Sequence, residues 1–270
     1  MNFNRRQMRS AFIWTVLIVI TQTLLSCMLK DDVDIEFPDV ESQMMLECYL
    51  CPEENYELTF METNKLSEDL ILQLNWNADI TIRSYHDTIS LFNILNIEKE
   101  TGYVFNYGTP SIVPNNESGT YYLDVVTESG IKITAQTNIV SPVKISEIQL
   151  KDKNLSVLFT ADTDSAQRYY SLLVEGYLDG EYTKVRDYIN ASKTNENEIT
   201  YSVKASFYKW ESIKVKLFHI TMDNYHFQMS AKNALVANMD PFSVPEEIKS
   251  NVSGAKGIFT YFTVDSLQIK

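Results

Sequence analysis

The chain has little glycine, proline, cysteine, histidine and positive charge. It contains 8 glycines and 7 prolines among 270 residues, and no low-complexity tract or fixed-period repeat is visible. Lysine and arginine number 23 against 36 aspartates and glutamates, for a formal net charge of -13. Neutralising a nucleic-acid backbone takes clustered basic side chains. No window holds such a cluster, so we expect no nucleic-acid partner.

Catalytic and metal-binding motifs are also missing from the sequence. It has no Gly-x-Ser-x-Gly elbow, no phosphate-binding glycine loop and no His-Glu-x-x-His. The three histidines, His86, His219 and His226, lack ligand spacing to the cysteines, whereas a structural zinc site takes four ligands. His219 falls in a run of alternating apolar residues, which favours a structural role. We therefore expect no cofactor, no metal and no enzymatic activity.

What the sequence does contain is a signal segment at its N-terminus. Three basic residues precede a largely apolar run over residues 11–20: Arg5, Arg6 and Arg9. Leu24–Cys27 then places a small residue directly before a cysteine. This order is typical of a secretory signal peptide, and the last four residues resemble a bacterial lipobox. The sequence thus predicts cleavage after residue 26 and lipidation of Cys27.

A lipid anchor is favoured over a membrane-spanning helix. A spanning helix needs about 20 apolar residues, but polar residues interrupt this run at Thr21. An uncleaved N-terminal anchor is the alternative. Two or more acyl chains hold a protein firmly on a bilayer. Removal of residues 1–26 takes away three arginines and no acid, which leaves 20 basic and 36 acidic side chains and a net charge of −16.

The residues after Cys27 resemble the lipoprotein export signal of Bacteroidota. Lys30 is followed by Asp31 and Asp32, and such a signal directs lipoproteins to the outer face of the outer membrane. We predict that residues 27–42 form a solvated acidic tether, because charged linkers extend by self-repulsion. A tether without an export role is the alternative interpretation of Lys30, Asp31 and Asp32. Both a surface-facing and a periplasm-facing protein remain open.

Cys48 and Cys51 form a C-x-x-C pair in a compartment that the signal segment predicts to be oxidising. A thioredoxin-type pair sits at a helix N-terminus, whereas this one ends an apolar run. Residues three apart in an extended strand point to opposite faces, so a disulfide would require a turn at Tyr49. A local disulfide and two free thiols both remain open.

The composition and pattern predict a mainly β protein. Tyrosine (16) and phenylalanine (13) are abundant and favour strands, and short alternating segments separated by turn residues suggest β-sandwiches. Proline near Ser141 interrupts the pattern. We predict an N-terminal sandwich over residues 43–142 and a β-rich sandwich domain over 143–270. One amphipathic helix is predicted over residues 222–238, with Asp223 as its N-cap.

One aromatic triplet is a candidate binding surface. Tyr103, Phe105 and Tyr107 alternate along the chain, which would place all three on one face of a strand. An outward face would be a stacking or partner surface. An inward face would be core, which we favour.

Several segments together resemble domain-of-unknown-function family 4249, a family of Bacteroidota outer-membrane lipoproteins. The resemblance is carried by residues 33–38, 46–50, 119–125, 141–143, 168–170, 240–245, 250–254 and 257–259. Cys48 stands where the family tends to have glycine. The resemblance implies a two-part, mostly β protein whose N-terminal part is similar to transthyretin-like or immunoglobulin-like sandwiches.

Members of that family commonly lie beside genes for TonB-dependent transporters. The resemblance therefore implies a non-enzymatic accessory or ligand-binding partner of such a transporter, held on the membrane by its lipid. A structural or adhesive envelope lipoprotein is the main alternative, and a hydrolase is the third. Fold likeness alone does not decide among these functions.

Overall fold

The structure is mainly β, as the composition predicts. A computed structural model describes residues 42–63, 72–99, 101–115, 118–151, 154–204, 207–239, 243–244 and 246–269, together with Trp14. The strands of its first half are β1 (Met44–Leu50), β2 (Asn55–Glu62), β3 (Gln73–Leu74), β4 (Ala78–Arg83), β5 (Thr88–Ile97), β6 (Val104–Ile112), β7 (Thr120–Thr127) and β8 (Lys132–Asn138).

The second half adds eight strands and an α-helix within the described residues. The strands are β9 (Ile145–Lys151), β10 (Asn154–Thr160), β11 (Tyr169–Leu178), β12 (Glu181–Asn190), β13 (Glu198–Lys204), β14 (Ser212–Ile220), β15 (Val252–Ser253) and β16 (Lys256–Gln268). The helix, α1, spans Met222–Met239. Two short 3-10 turns occupy Ser165–Gln167 and Phe207–Lys209.

Most of the strands join one large mixed sheet. Its order is β12-β11-β14-β16-β1-β2-β6-β5-β4-β7-β8-β15, with β3 paired to β2, and a separate small sheet has the order β13-β10-β9. The register of β5 against β6 shifts between Asn93 and Asn96. Such a bulge bends a strand and increases its local twist. The large sheet therefore changes direction at β5. Strands β1, β2 and β6 then pack against strands β4, β7 and β8 as two layers.

The first hydrophobic core lies between these two halves. Alternate residues of β1 and β2, including Leu46, Leu58 and Phe60, are fully buried on one layer. Ile82 and Leu123 belong to the same core and lie in β4 and β7 on the other layer. Period-two alternation dictates this arrangement, because every second side chain of a strand points to the same face. Full burial of one such side chain contributes about 1.5–3 kcal/mol.

The second core fills the space between the small sheet and the far end of the large one. Leu155 and Val157 of β10 meet Leu172 of β11 and Val215 of β14 in one buried cluster. Trp210 packs in the same cluster against Phe207, with ring centroids 4.9 Å apart. These two cores are the layers of a sandwich architecture, which confirms the predicted fold class.

Strand β16 connects the two parts of the molecule. Its first half pairs in parallel with β1, where Gly257 stands opposite Leu46. Its second half pairs antiparallel with β14, where Val264 stands opposite Phe218. Residues Glu41–Lys270 form one compact unit. The domain boundary between residues 142 and 143 stays a prediction. Strand β16 belongs to the second part of the sequence but pairs with β1 of the first part.

A helix is confirmed at the predicted place, but the prediction that it is amphipathic is wrong. Its buried side chains include the polar Asn224 and Ser230, whereas the apolar Leu235 and Val236 are exposed. Its N-cap is also not the predicted residue. Helix α1 begins at Met222, and the Oγ1 of Thr221 accepts a hydrogen bond from the Asn224 backbone N–H at 3.2 Å. Asp223 lies within the first turn, where its negative charge is favourable near the helix N-terminus. Among the described residues, no helix combines the length and apolar content that crossing a bilayer requires.

Candidate functional site

The three predicted surface aromatics divide between an exposed stack and the core. Tyr103 lies just before β6 and is 44% exposed, and its ring stacks on Phe105 with centroids 6.3 Å apart. Tyr107 is fully buried in the first core, where its Oη accepts a hydrogen bond from the Ala78 backbone N–H at 3.1 Å. The prediction that the triplet has one common environment is therefore wrong.

A buried amide explains why the alternation breaks within β6. Asn106 is fully buried. Its side-chain amide makes the hydrogen bonds to the Phe60 backbone that the backbone of β6 would otherwise make. The Phe60 N–H donates to Asn106 Oδ1 at 2.7 Å, and Asn106 Nδ2 donates to the Phe60 carbonyl at 2.9 Å. The backbone of β6 moves away from β2 at this point, so residues before Asn106 no longer follow the core face of the sheet.

Tyr103 instead joins a hydrogen-bonded network on the opposite face of the large sheet. Glu47 and Tyr49 of β1 alternate with the buried Leu46 and Cys48, so they point away from the first core. The edge of the Tyr103 ring meets Tyr49 with centroids 6.1 Å apart. We call Glu47, Tyr49, Gln228 and Tyr188 the tyrosine relay.

The tyrosine relay links strand β1 to helix α1 and strand β12. Tyr188 Oη donates to Gln228 Oε1 at 3.0 Å, and Gln228 Nε2 donates to Tyr49 Oη at 3.3 Å. Tyr49 Oη in turn donates to Glu47 Oε2 at 3.1 Å. Burial raises the pKa of Glu47, although the hydrogen bond from Tyr49 opposes that shift. Burial likewise raises the pKa of Tyr49 and of Tyr188. The relay holds α1 against the sheet.

Next to the relay lies a mixed polar and aromatic surface. The Arg186 guanidinium sits 5.1 Å above the Phe218 ring and donates to Ser171 Oγ at 3.1 Å. Phe218 also packs against Phe262, with centroids 5.7 Å apart. Cation–π contacts of this kind stabilise exposed sites by about 0.5–1 kcal/mol. This arrangement covers part of the sheet that α1 leaves exposed.

Strand β5 presents three large exposed apolar side chains. Phe92, Leu95 and Ile97 are 64%, 66% and 56% exposed. Phe92 and Ile97 flank the bulge between Asn93 and Asn96, and Leu95 lies within it. The bulge disrupts the alternation that would otherwise send every second side chain inward. Contiguous exposed apolar side chains are typical of interaction surfaces. We call these three side chains the β5 patch.

An open pocket of about 390 Å³ lies in the first half of the structure. It is formed where the β2 and β3 ends meet the turn between β7 and β8, and Trp76 lies in its wall. Sequence reasoning missed this pocket, because it examined aromatic residues only where they clustered. The signal that could have found it is Asn75-Trp76-Asn77, a tryptophan between two amides directly before a strand.

The sequence-predicted cysteine pair lies in the first core rather than in a site. Cys48 and Cys51 are both buried free thiols in the structure. Burial, with a smaller contribution from the neighbouring Glu54, raises the pKa of Cys51 to about 12. Burial also raises the pKa of Cys48. A thiol with such a pKa stays protonated at neutral pH and is a poor nucleophile and metal ligand.

The histidines do not assemble a catalytic group. His219 is almost fully buried, and its Nδ1 and Nε2 lie 2.8 and 2.7 Å from the carbonyl oxygens of Ser141 and Gln167. This placement agrees with the structural role that its sequence context favours. Among the described residues, no three histidine, cysteine, aspartate or glutamate side chains lie close enough together to hold a metal ion.

The predicted lipidation and export residues lie outside the described residues. These are Cys27, Lys30, Asp31 and Asp32. Their roles stay predictions from the sequence.

Comparison with known proteins gives one family. No curated protein matches the chain. The sequence model of the family described as "Domain of unknown function (DUF4249)" matches residues 30–268. That match covers the whole of the β structure and nearly the whole chain, and the chain belongs to this family.

Proposed function

We propose that the chain is a lipid-anchored protein of the outer membrane that serves a TonB-dependent transporter as a non-enzymatic accessory or ligand-binding partner. The observation that carries this proposal is the signal segment that ends in Leu24–Cys27. A diacylated or triacylated Cys27 anchors a protein on a bilayer without a spanning helix. The neighbourhood of transporter genes, which the family implies, supports the choice of partner.

The charge of the chain fits a body held close to a membrane by a spacer. Strand β1 begins at Met44, so residues 28–43 stand between Cys27 and the sheet in the sequence. That segment is rich in acid, and charged linkers extend by self-repulsion. Lys30, Asp31 and Asp32 favour the cell-surface side of the membrane, and the periplasmic side is the alternative.

The β5 patch is the surface that we assign to the transporter. Phe92 and Leu95 are the most exposed of its side chains, and their burial against a partner would remove apolar area from water. The turn between β4 and β5 adds Tyr85, which is 88% exposed. Aromatic residues are enriched at protein interfaces because one side chain supplies a large contact area.

The anchor is tested by labelling cells with a radioactive fatty acid. We expect label in the wild-type chain and none in Cys27→Ala, which should also leave the membrane fraction. Cys51→Ala is the matched cysteine control and should stay labelled. A Cys27→Ala chain that remains membrane-bound, or a mature chain that starts at another residue by mass spectrometry, would contradict the proposal.

The partner is tested by pull-down from solubilised outer membranes. We expect the wild-type chain to recover a TonB-dependent transporter and Phe92→Ser/Leu95→Ser to lose it. Val244→Ser changes an equally exposed apolar residue outside the patch and should behave as wild type. If the wild-type chain recovers no transporter, and deletion alters attachment or envelope integrity with uptake unchanged, the structural or adhesive function replaces this one.

A further inference from the structure

The pocket at Trp76 has the features of a built binding site. It lies between the end of β2, where Glu62 lines it, and the β7–β8 turn, where Glu128 lines it. Its volume of about 390 Å³ falls within the range of small-molecule sites, which is about 300–1,000 Å³. The β5 patch does not include any of its lining residues.

The backbone that carries Trp76 is fixed in place by side-chain amides. Asn106 Nδ2 donates to the Asn75 carbonyl at 2.6 Å, and Asn93 Nδ2 donates to the Trp76 carbonyl at 3.0 Å. The Asn75 N–H donates to the Phe60 carbonyl at 2.9 Å. A loop with this many partners loses little conformational entropy when it meets a ligand, and such preorganisation raises affinity.

An amide–carboxylate pair stands on each side of Trp76. Asn75 Nδ2 donates to Glu62 Oε1 at 3.2 Å, and Asn77 Nδ2 donates to Glu128 Oε2 at 3.1 Å. The Glu128 N–H returns a bond to the Asn77 carbonyl at 3.0 Å. Each carboxylate is thereby oriented, and each still has lone pairs that can accept further hydrogen bonds.

Trp76 lines the same pocket as these two polar pairs. It is 38% exposed, although tryptophan is usually highly buried. An indole face gains free energy when a flat apolar surface covers it. The C–H face of a sugar ring is such a surface, and the hydroxyls on the ring edge both donate and accept hydrogen bonds.

We propose that this pocket binds a neutral sugar ring, which stacks on Trp76 and hydrogen-bonds to the flanking pairs. The lining has two carboxylates and no lysine or arginine, so an anionic ligand is repelled. It also supplies the amides of Asn75 and Asn77, each of which has a second N–H besides the one given to its carboxylate. The hydroxyls of Thr127 and Ser129 bond to each other at 2.9 Å. A sugar uses both donors and acceptors, whereas an organic cation would use the acceptors alone. The donor set therefore favours the sugar.

This inference deepens the proposed ligand-binding role and rests on it for a biological meaning, but binding itself is measured on the purified full chain. Calorimetric titration is carried out in a detergent without a sugar headgroup. The probes are maltotriose, cellotriose and mannotriose, with choline chloride as the cationic probe. We expect saturable binding of at least one trisaccharide and none of choline.

Trp76→Ala should weaken that binding about tenfold, because it removes both the stacking contact and the apolar area that the sugar ring would cover. Tyr177→Ala removes an exposed aromatic of β11, which is outside the pocket, and should bind as wild type. Thermal unfolding of each variant verifies that the fold is intact. Unchanged affinity in a folded Trp76→Ala chain overturns the proposal.

Glu62→Gln/Glu128→Gln separates a sugar from a cation. The carboxamide oxygens still accept hydrogen bonds, so sugar affinity should fall by less than about tenfold, within one or two hydrogen bonds. A titration that is blank for every sugar, or choline binding that this double variant abolishes, overturns the sugar pocket. Transporter recovery in the pull-down is read separately, so either proposal can fail without the other.

Discussion

At the scale of single residues, Arg168 organises the loops around the second core. It is only 5% exposed. Its Nε donates to the Asp162 carbonyl at 2.6 Å, and its Nη1 donates to the carbonyls of Thr194 and Glu196 at 2.7 and 3.0 Å. Buried carbonyls without partners are costly. The fork of one guanidinium therefore holds two separate loops, and a single charged nitrogen could not reach all three oxygens.

Arg168→Lys should lower the free energy of unfolding by about 2–4 kcal/mol, because hydrogen bonds to charged groups are worth about 1.5–3 kcal/mol each and lysine can replace only some of them. Urea denaturation measures the change. Arg83→Lys is the control: Arg83 pairs with Asp124 at the surface, where such a pair contributes about 0–1 kcal/mol. Equal effects of the two substitutions would contradict the role of Arg168.

Gly257 permits the close approach of β16 to β1. Its φ is +127°, and a Cβ there would lie 1.8 Å from the Leu46 carbonyl oxygen. Gly257→Ala should therefore cost about 3 kcal/mol or more in unfolding free energy. Gly180 has a φ of +81°, and a Cβ there would meet nothing within 4 Å. Gly180→Ala should therefore lower the free energy of unfolding by only about 1–2 kcal/mol. A smaller loss at Gly257 than at Gly180 would contradict this assignment.

The buried cysteines should resist thiol reagents. In a Cys27→Ala chain, we expect Ellman's reagent to react with almost no thiol in the native state, because burial hides both sulfurs and raises the pKa of Cys51 to about 12. In guanidinium chloride both Cys48 and Cys51 should react. Rapid native reaction would contradict the burial, and no reaction after denaturation would indicate the disulfide instead of free thiols.

At the scale of secondary-structure elements, the tyrosine relay joins α1 to the sheet and makes stability depend on pH. Burial raises the pKa of Glu47 above its ordinary value of 4.5. At pH values between 4.5 and that raised pKa, the folded chain therefore keeps a proton on Glu47 that the unfolded chain has lost. The free energy of unfolding should therefore fall as pH rises from about 4.5 through that raised pKa.

Glu47→Gln should remove this component, because glutamine does not titrate and still accepts the Tyr49 hydrogen bond. Urea midpoints measured at several pH values from 4.5 upward should show the wild type losing stability relative to the variant. Glu247→Gln is the control, since Lys256 lowers the pKa of Glu247 and its contribution is lost as pH falls. Parallel curves for wild type and Glu47→Gln would exclude a titrating Glu47.

Local patterns were enough to predict most of the elements. Strands β2, β7 and β14 have one buried face, and their sequences alternate clearly over residues 56–60, 121–125 and 213–220. These alternating segments predict strands there, and each falls inside the observed strand. Strands β5 and β12 were not predicted. Both carry exposed side chains at many positions, and β5 is interrupted by its bulge. A strand that is exposed in this way lacks the period-two signal on which such predictions depend.

The binding pocket could not be predicted from local patterns. One wall comes from Glu62 and residues 73–77, and the other from residues 127–129. They are brought together by the pairing of β4 with β7, where Ala78 stands opposite Thr127. Register over such a sequence distance is set by tertiary packing. The exposure of Tyr103 also depends on a contact between distant residues, because it follows from the hydrogen bonds of the buried Asn106 to Phe60.

At the scale of the whole molecule, β16 should make the two cores unfold together. It pairs with β1 beside the first core and with β14 beside the second. Loss of β16 would remove a neighbour from both, so partial unfolding exposes apolar surface on each side. We therefore expect one cooperative transition.

Two single-tryptophan chains test this cooperativity. The predicted cleavage after residue 26 removes Trp14 from the mature chain. Trp210→Phe then leaves Trp76 to report on the first half, and Trp76→Phe leaves Trp210, which is buried in the second core. In each chain, the fluorescence midpoint in urea should coincide with the midpoint from circular dichroism. Separate midpoints in either chain would indicate two independently folding domains.

The parallel contact between β1 and β16 also constrains the order of folding. The ribosome synthesises β1 first and β16 after every other strand of this sheet, so the middle of the sheet cannot form until synthesis of β16 is complete. Contacts so distant along the chain form slowly. Until they form, the unpaired edges of β1 and β14 are exposed and can pair with strands of other chains, which leads to aggregation. A holding chaperone that shields β1 and β14 during synthesis would therefore raise the yield of native molecules.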